Sequence, residues 1–419
     1  MAAVLVAAGA PILWAQAPEA PSASPPPGHE RMNEAFGLPL WVDESLWDDD
    51  DRAVGRRLNW REESRTRTLS GYRCYPPSST RVLGARPYSM ALYAEEGHPS
   101  GVSLFFMNKG DFEGFLAAGG DGGGSRGLRR AFDDALRADA DQLAAALGAL
   151  LGEPARGVMG DRTLRERVRR WDWNGHALLL AEQPGEYVAL RIVPTAEADA
   201  RGRAEKIGDA EIRRRLAERV KRRANGDVII EDIPMVEQGP KGYCVPATWE
   251  RYLRYLGIPA DMYALAMAGE TERGGGTSVR TMVENVEPLV KLYRRNVRVF
   301  SGDLSWPKLT RYLDEGIPLM WVLRLDPALD PQLTARARAR AAVADSEEWN
   351  RRLAPYRREA AARRRGRDIH GHLCLIIGYN RQTNELAISD SWGREYAERW
   401  ITLEEAKAVS LEQFVVIAW

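Results

Sequence analysis

Only three of the 419 residues are cysteine (Cys74, Cys244 and Cys374), which allows at most one intramolecular disulfide and leaves at least one thiol over. A disulfide-stapled scaffold is thereby excluded, and without a C-x-x-C pair no structural zinc is expected. Charge of one sign is lacking as well: 59 Lys and Arg balance 59 Asp and Glu, so the formal net charge is zero. No global field selects nucleic acid or an acidic membrane, and any electrostatic partner must be read locally. Long apolar runs are confined to the first residues, and 44% apolar with 28% charged residues is an ordinary globular balance. Pervasive disorder and a multi-span membrane protein are excluded; at roughly 150 residues per domain the chain holds two or three domains.

The one apolar run, residues 1–17, is as long as a signal-peptide core, short for a membrane span, and ends in the small-residue pattern Ala15-Gln16-Ala17. It reads as a secretory signal, with an apolar tail as the alternative because the basic n-region is missing. A secreted or periplasmic location and no stable membrane span after cleavage follow from the first reading. Residues 18–30 are a Pro-rich spacer unable to bury enough apolar surface to order itself, so folded sequence is expected from about Arg31.

Residues 31–195 read as an α+β accessory domain. Ser89–Tyr93 and Val102–Met107 are strand-like, and Leu128 to Leu151 carries Leu128, Phe132, Leu136, Leu143, Leu147 and Leu150 close to the helical period. Trp173–Ala181 and Tyr187–Val193 flank a turn at 183–186 and read as a hairpin. Gly119 to Ser125 lacks the Lys-Ser/Thr ending of a phosphate loop and reads as a solvated linker. His98 and His176 stand alone there as surface or core residues. Residues 196–226 follow as a basic linker helix: Glu211 to Arg223 holds seven basic residues against two acidic ones, with Ile212, Leu216 and Val220 as a narrow apolar stripe. It is either a solvated connector or a dock for an anionic polymer.

The chemistry lies in residues 227–419. After a Gly/Pro-rich loop, Cys244 sits where a helix begins, since Pro246 is acceptable only in a first turn and Trp249, Tyr252, Leu253 and Leu256 continue at helical spacing to Gly257. A helix N-terminus and a neighbouring imidazolium lower a cysteine pKa from about 8.5 to roughly 3.5–7.5, which yields a thiolate at neutral pH. Only five histidines could supply the base. His370 and His372 share one face of the apolar strand 368–379, and a second strand, 385–390, follows a turn at 380–384. Folded about a centre near Arg381, this hairpin sets His372 opposite Asp390. Cys374, between leucines on the same face, reads as a buried inert thiol. Gly274 to Ser278 before Val279 reads as a loop with a helix N-cap.

These residues resemble the papain-like cysteine peptidases, most closely the double-glycine leader peptidase-like branch, over about residues 228–419. Gln238, six residues before Cys244, matches that family's oxyanion-hole glutamine; His372, six before Gly378-Tyr379, matches its histidine strand; Asp390-Ser391-Trp392-Gly393 resembles its Asn-Ser-Trp-Gly with Asp in the orienting place. The Gly378 spacing favours His372 over His370 as base. The resemblance implies an α+β fold with a nucleophile helix packed on an antiparallel sheet. It further implies that Cys244 is the nucleophile, His372 the base, Asp390 its orienting carboxylate, Gln238 an oxyanion donor and Trp392 a cover over the His–Asp pair. Val245 departs from the small residue that usually follows the nucleophile. Without an accompanying ATP-binding cassette the exporter-coupled role is not implied. An Arg/Ala-rich insertion at about 331–367 reads as a helical hairpin, either a lid beside the cleft or a solvated excursion.

The expected activity is hydrolysis of peptide bonds in a peptide or protein substrate, envelope proteins included. The alternatives are a papain-fold amidase or acyltransferase acting on cell-envelope amides, and an inactive binding module. No organic cofactor, metal or nucleic-acid partner is expected, because no ligand cluster has the needed spacing.

Overall fold

The computed structural model describes residues 26–113, 126–272, 276–324, 326, 329–343, 345–362 and 371–419. Residues 1–25, with the signal reading and most of the spacer, the glycine run at 119–125, Gly274 and Gly275, and His370 lie outside the described residues. Order begins slightly earlier than Arg31. Helix α1 (His29–Phe36) opens two residues sooner, and Pro27 is buried because its carbonyl accepts from Trp173 Nε1 at 2.7 Å.

Two antiparallel sheets dominate. The first comprises β1 (Arg61–Arg65), β2 (Leu69–Cys74), β3 (Ser89–Glu95), β4 (His98–Asn108), β5 (Ala155–Met159), β6 (Glu166–Trp173), β7 (His176–Gln183) and β8 (Tyr187–Pro194), in spatial order β1-β2-β3-β4-β8-β7-β6-β5. Helices α1, α2 (Asp51–Leu58) and α3 (Arg126–Leu151) accompany it. The buried stripe of α3 is Phe132, Leu136, Ala140, Leu143 and Leu147, three to four residues apart, and it faces β4, β6, β7 and β8. The hairpin about 183–186 is β7–β8, with Gln183 facing Tyr187; Trp173 instead ends β6, because Asn174-Gly175 makes a turn of its own before His176.

The second sheet comprises β9 (Val220–Arg222), β10 (Val228–Ile230), β11 (Asn296–Ser301), β12 (Leu319–Arg324), β13 (Gly371–Asn380), β14 (Glu385–Ser389), β15 (Arg399–Thr402) and β16 (Ser410–Ala418). Its path is β11-β16-β12-β13-β10-β9, with β14 pairing β13 and β15 pairing β14. Helix α4 (Thr195–Asp199) packs on β7 and β8 of the first sheet, and between and around the strands of the second run α5 (Asp209–Glu218), α6 (Cys244–Tyr255), α7 (Met262–Ala268), α8 (Val279–Leu292), α9 (Trp306–Leu313), α10 (Leu329–Ala341), α11 (Ser346–Ala362) and α12 (Leu403–Val409). Helix α6 packs on β13, and Trp249, Tyr252 and Leu253 join the core of this sheet. Ser278 caps α8 as its spacing implies, accepting from Thr281 N.

The basic linker is shorter as a helix than its composition implies. Helix α5 stops at Glu218 and Val220–Arg222 turns into β9, where Val220 faces Ile230. Pairing with β10 satisfies the backbone that a longer helix would have satisfied internally. Ile212 and Leu216 lie in the core of the second sheet, so α5 is part of that layer rather than a free connector.

Each sheet has its own apolar core, and a third cluster joins them: Phe105, Tyr187 and Ala189 from the first sheet meet Val236, Tyr243, Ala247, Met262 and Tyr263 from the second region. The rings of Phe105 and Tyr263 stack with centroids 3.8 Å apart. The N-terminal layer is thus packed against the loop and helix that carry Cys244. Among the described residues no helix is long and apolar enough to cross a membrane.

Candidate active site

Cys244 is the first residue of α6 and half-buried. Pro246 is the third residue of the helix, where its missing N–H has no intrahelical partner to lose. The helix is fixed beneath the thiol by polar contacts to the other half of the site. Thr248 Oγ1 donates to Leu373 O at 3.1 Å, and the buried Arg251 donates to Pro234 O at 3.0 Å and Ser389 O at 3.2 Å.

The loop before Cys244 is held from the first sheet. Met235 N–H donates to Ser64 Oγ at 2.9 Å, Glu237 N–H donates to the Glu63 carboxylate, and Tyr75 O–H donates to Glu237 O at 2.6 Å. Glu63 is itself buried and paired with Arg73 Nε at 2.6 Å. Gly239 has φ +71°, and a Cβ there would lie 2.8 Å from the Tyr75 ring, so this turn accepts only glycine. Lys241 is wholly buried, 3.1 Å from Asp111 and within 4.8–5.5 Å of the ring centroids of Tyr75, Tyr243 and Tyr263. Burial pushes its ammonium pKa down, and the Asp111 charge opposes that. Within this loop Gln238 donates through Nε2 to Lys241 O at 2.9 Å, and its backbone N–H donates to Ser391 O at 2.9 Å. An amide nitrogen has two protons, so one remains for a further acceptor.

On the other side, His372 lies near the start of β13 and is buried. Its Nε2 is 2.8 Å from Asp390 Oδ1, which leaves Nδ1 for the thiol. The hairpin register is not the one expected. Ser389 faces Leu375 and Glu385 faces Asn380, two or more residues out from a pairing of His372 with Asp390. The reason lies in the turn: Asn380 Oδ1 accepts from Gln382 N and Thr383 N, and left-handed Asn384 (φ 48°) closes it, so its centre falls beyond Arg381. Asp390 then stands past the end of β14, where its N–H donates to Tyr396 O at 3.0 Å, and its side chain reaches back to His372. Trp392 stacks on the imidazole with centroids 4.6 Å apart. Gly378 is required by proximity, since a Cβ there would meet Val228 O of β10 at 2.4 Å.

The charges of these groups are coupled. Burial alone would lower the His372 pKa, but hydrogen bonds to Asp390 and Cys244, with their charges, raise it to about 9. Burial alone would raise the Cys244 thiol; the hydrogen bond and charge of His372, with the backbone N–H groups of Leu373 and Val245, bring it below the ordinary value instead. Burial also works against the Asp390 carboxylate, and His372 and Arg399 overcome it and keep that pKa low. The lowered thiol and the raised imidazole both shift the pair toward thiolate and imidazolium.

Cys374 is fully buried, and burial pushes its thiol pKa well up; Cys74 is half-buried, and burial raises it too. His176 is a core residue whose Nε2 faces Trp41 Nε1 at 3.1 Å and Leu46 N at 3.2 Å, while His98 is exposed. Among the described residues no group of three or more His, Cys, Asp and Glu is arranged to hold a metal ion.

Three features of the site escaped the sequence reading. Arg399 binds Asp390 Oδ2 through Nη2 at 2.6 Å. The signal for it was an arginine inside the apolar strand run Arg399-Trp400-Ile401, a place where a cation needs a buried partner. The Lys241–Asp111 pair and the Glu63 contact span 130 and 174 residues, and no local pattern marks them. The insertion is indeed two helices, α10 and α11, but not a solvated excursion: Arg336 pairs with Glu405, and Arg340 pairs with Asp227 and Glu385, all with little exposure.

No curated protein matches the chain. Residues 230–415, a little under half of the chain, match the family model described as the Peptidase_C39 like family, and with the helix that begins at Cys244 and the antiparallel sheet this supports a papain-like, C39-like peptidase region.

Proposed function

We propose that this chain is a cysteine peptidase that hydrolyses peptide bonds with Cys244, His372 and Asp390 as a triad and Gln238 as an oxyanion donor. The observation that carries the reading is the continuous chain of interactions from thiol to carboxylate, with the Cys244 pKa lowered and that of His372 raised to about 9. In this reading the Cys244 thiolate attacks the carbonyl carbon, and the imidazolium passes its Nδ1 proton to the leaving amine as the C–N bond breaks. Water then attacks the thioester, giving a proton to the same nitrogen, and the acid is released. Asp390 at Nε2 fixes the tautomer throughout. The free Nε2 proton of Gln238 and the Cys244 backbone N–H would meet the developing oxyanion. Trp392 would keep water from the His–Asp pair. The substrate proposed is a peptide or protein met outside the cytoplasm, in keeping with the apolar N-terminal run.

The test is the pH dependence of Cys244 alkylation by iodoacetamide in the wild type beside His372→Ala, read by mass spectrometry of the Cys244 peptide. Rapid labelling near pH 5 that is lost in the variant supports the pair and justifies a search for peptide substrates. Labelling that rises only near about pH 8.5 in both proteins sinks the reading.

A further inference from the structure

Arg399 links the site to the insertion. Asp390 divides its oxygens, Oδ1 to His372 at 2.8 Å and Oδ2 to Arg399 Nη2 at 2.6 Å. The other arm of the guanidinium, Nη1, donates to Asp330 Oδ1 at 2.6 Å and to Thr334 Oγ1 at 3.1 Å, both on α10. Arg399 is 1% and Asp390 2% exposed, so the fork is desolvated at its Asp390 end, and it reaches from strand β15 to the half-buried Asp330 in the first turn of α10. The rings of Tyr396 and Trp392 lie 4.8 Å and 5.4 Å from the guanidinium carbon, and Trp392 also covers His372. A small cavity of about 20 Å³, lined among others by Asp326, Asp330, His372, Asp390 and Arg399, runs along the same bridge. Helix α10 is not free to swing away, because Arg336 and Arg340 anchor its later turns to Glu405, Asp227 and Glu385.

We propose that Arg399, held by Asp330, is a positioning residue that fixes Asp390 and balances the charge of the Cys244–His372–Asp390 chain, which makes the insertion a working part of the site. The inference rests on the peptidase reading of that chain.

Charge counting gives the reason. Thiolate, imidazolium and carboxylate sum to one negative charge in a buried place, where an unbalanced charge is costly, and the guanidinium offsets it there; the Asp330 charge on its other arm sits at a side chain 28% exposed, where water shares in balancing it. Its planar fork suits two carboxylates at once, which a lysine would not. The other charged or titratable groups facing this centre are Arg251 from α6, Cys374 from β13, Arg324 from β12, and Asp326 and Asp330 from the insertion side. None of them touches Asp390 Oδ2 as Arg399 does.

The sign of the effect is fixed by electrostatics. Removing a cation raises the pKa of every titratable neighbour, and removing an anion lowers it. Arg399→Gln should move the alkylation midpoint of Cys244 upward by about 0.5–1 pH unit, and Asp330→Asn should move it downward by about 0.2–0.5 unit. Arg399→Lys keeps the charge and loses the fork, so its midpoint should stay near the wild-type one while peptide turnover falls. A merely structural role would lower turnover without opposite shifts. Both variants moving the midpoint in one direction, or neither moving it, overturns the proposal. Should Arg399→Gln fail to fold, Asp330→Asn with Arg399→Lys carries the same decision: a downward shift in the first and an unshifted midpoint in the second. The shifts are read relative to the wild-type midpoint wherever it lies, so an ordinary wild-type thiol would sink the peptidase reading without deciding this one.

Discussion

Gln238 hangs from a loop whose fixed points belong to another sheet, whereas His372 and Asp390 belong to one hairpin of their own sheet. On the nucleophile side the anchors are side chains far away in sequence: Ser64, Glu63, Tyr75 and Asp111. On the histidine side, strand pairing sets His372 and the seven-residue segment 390–396, closed by the Asp390–Tyr396 backbone bond, sets Asp390. The buried fork of Arg399 reaches outward to the insertion, and the exposed Arg394 reaches Glu62 of the first sheet. The two sides meet where Gln238 N–H donates to Ser391 O and where Thr248 donates to Leu373 O. The difference teaches that the His372–Asp390 pair is built locally, while the surroundings of Gln238, the oxyanion donor proposed above, depend on how the two sheets dock.

Asp390→Asn is the largest test of the histidine side. The amide cannot hold the imidazolium, so the His372 pKa should fall from about 9 toward the ordinary value near 6.5, and the alkaline limb of the pH–turnover profile should fall with it. In a Ser-His-Asp enzyme the corresponding change costs about 10⁴ in kcat; a smaller loss is expected here, because the motif this site resembles carries Asn in the orienting place and an amide oxygen still accepts from the ring. An alkaline limb that stays near pH 9 would show that Asp390 does not raise the imidazole.

Asp111→Ala is the matching test of the nucleophile side. It strands the Lys241 ammonium in a wholly buried site among three tyrosine rings. Breaking such a pair costs about 3–5 kcal/mol, to be read in chemical unfolding, and turnover should fall as the Gln238 loop loosens. Asp111→Ala together with Lys241→Met should recover much of the stability, because no charge is then left unpaired. A single variant as stable as the wild type would mean that the loop does not depend on the N-terminal sheet.

Gln238→Ala separates the two sides directly. If Gln238 is the oxyanion donor proposed, turnover should fall by about 10²–10³, which is about 3–4 kcal/mol. The pH midpoint of Cys244 alkylation should not move, since the groups that lower the thiol pKa are His372 and the N–H groups of Leu373 and Val245, not Gln238. A shifted midpoint would tie the glutamine to the ion pair and erase the distinction.

How far the site was legible follows the same division. The hairpin, the start of α6 at Cys244 and the capped start of α8 could be read because strand alternation, a first-turn proline and an N-cap serine are local signals. The register of the hairpin was misjudged by two residues or more because the Asn380 turn has its centre at 382–383, and side-chain bonds to backbone N–H groups decide that. The early end of α5 was set by pairing with β10, a tertiary contact that overrides a helical pattern. Arg399 stands out only as a cation in an apolar run and Lys241 not at all, because only the fold supplies their carboxylates.

The exposed contacts between the layers should matter least, and Arg67→Ala tests that. Arg67 pairs with Asp232, just ahead of the nucleophile loop, yet its side chain is 56% exposed. Water and salt screen such a pair, so the loss should stay within about 0–1 kcal/mol, with turnover and the Cys244 midpoint unchanged. The contrast with Asp111→Ala then rests on burial, since both residues tie the same loop to the same sheet through one carboxylate and one cation. A loss as large as that of Asp111→Ala would mean that the two layers are held by charge at their rim rather than by the buried lysine and the Phe105–Tyr263 cluster, and that docking should weaken steeply with added salt.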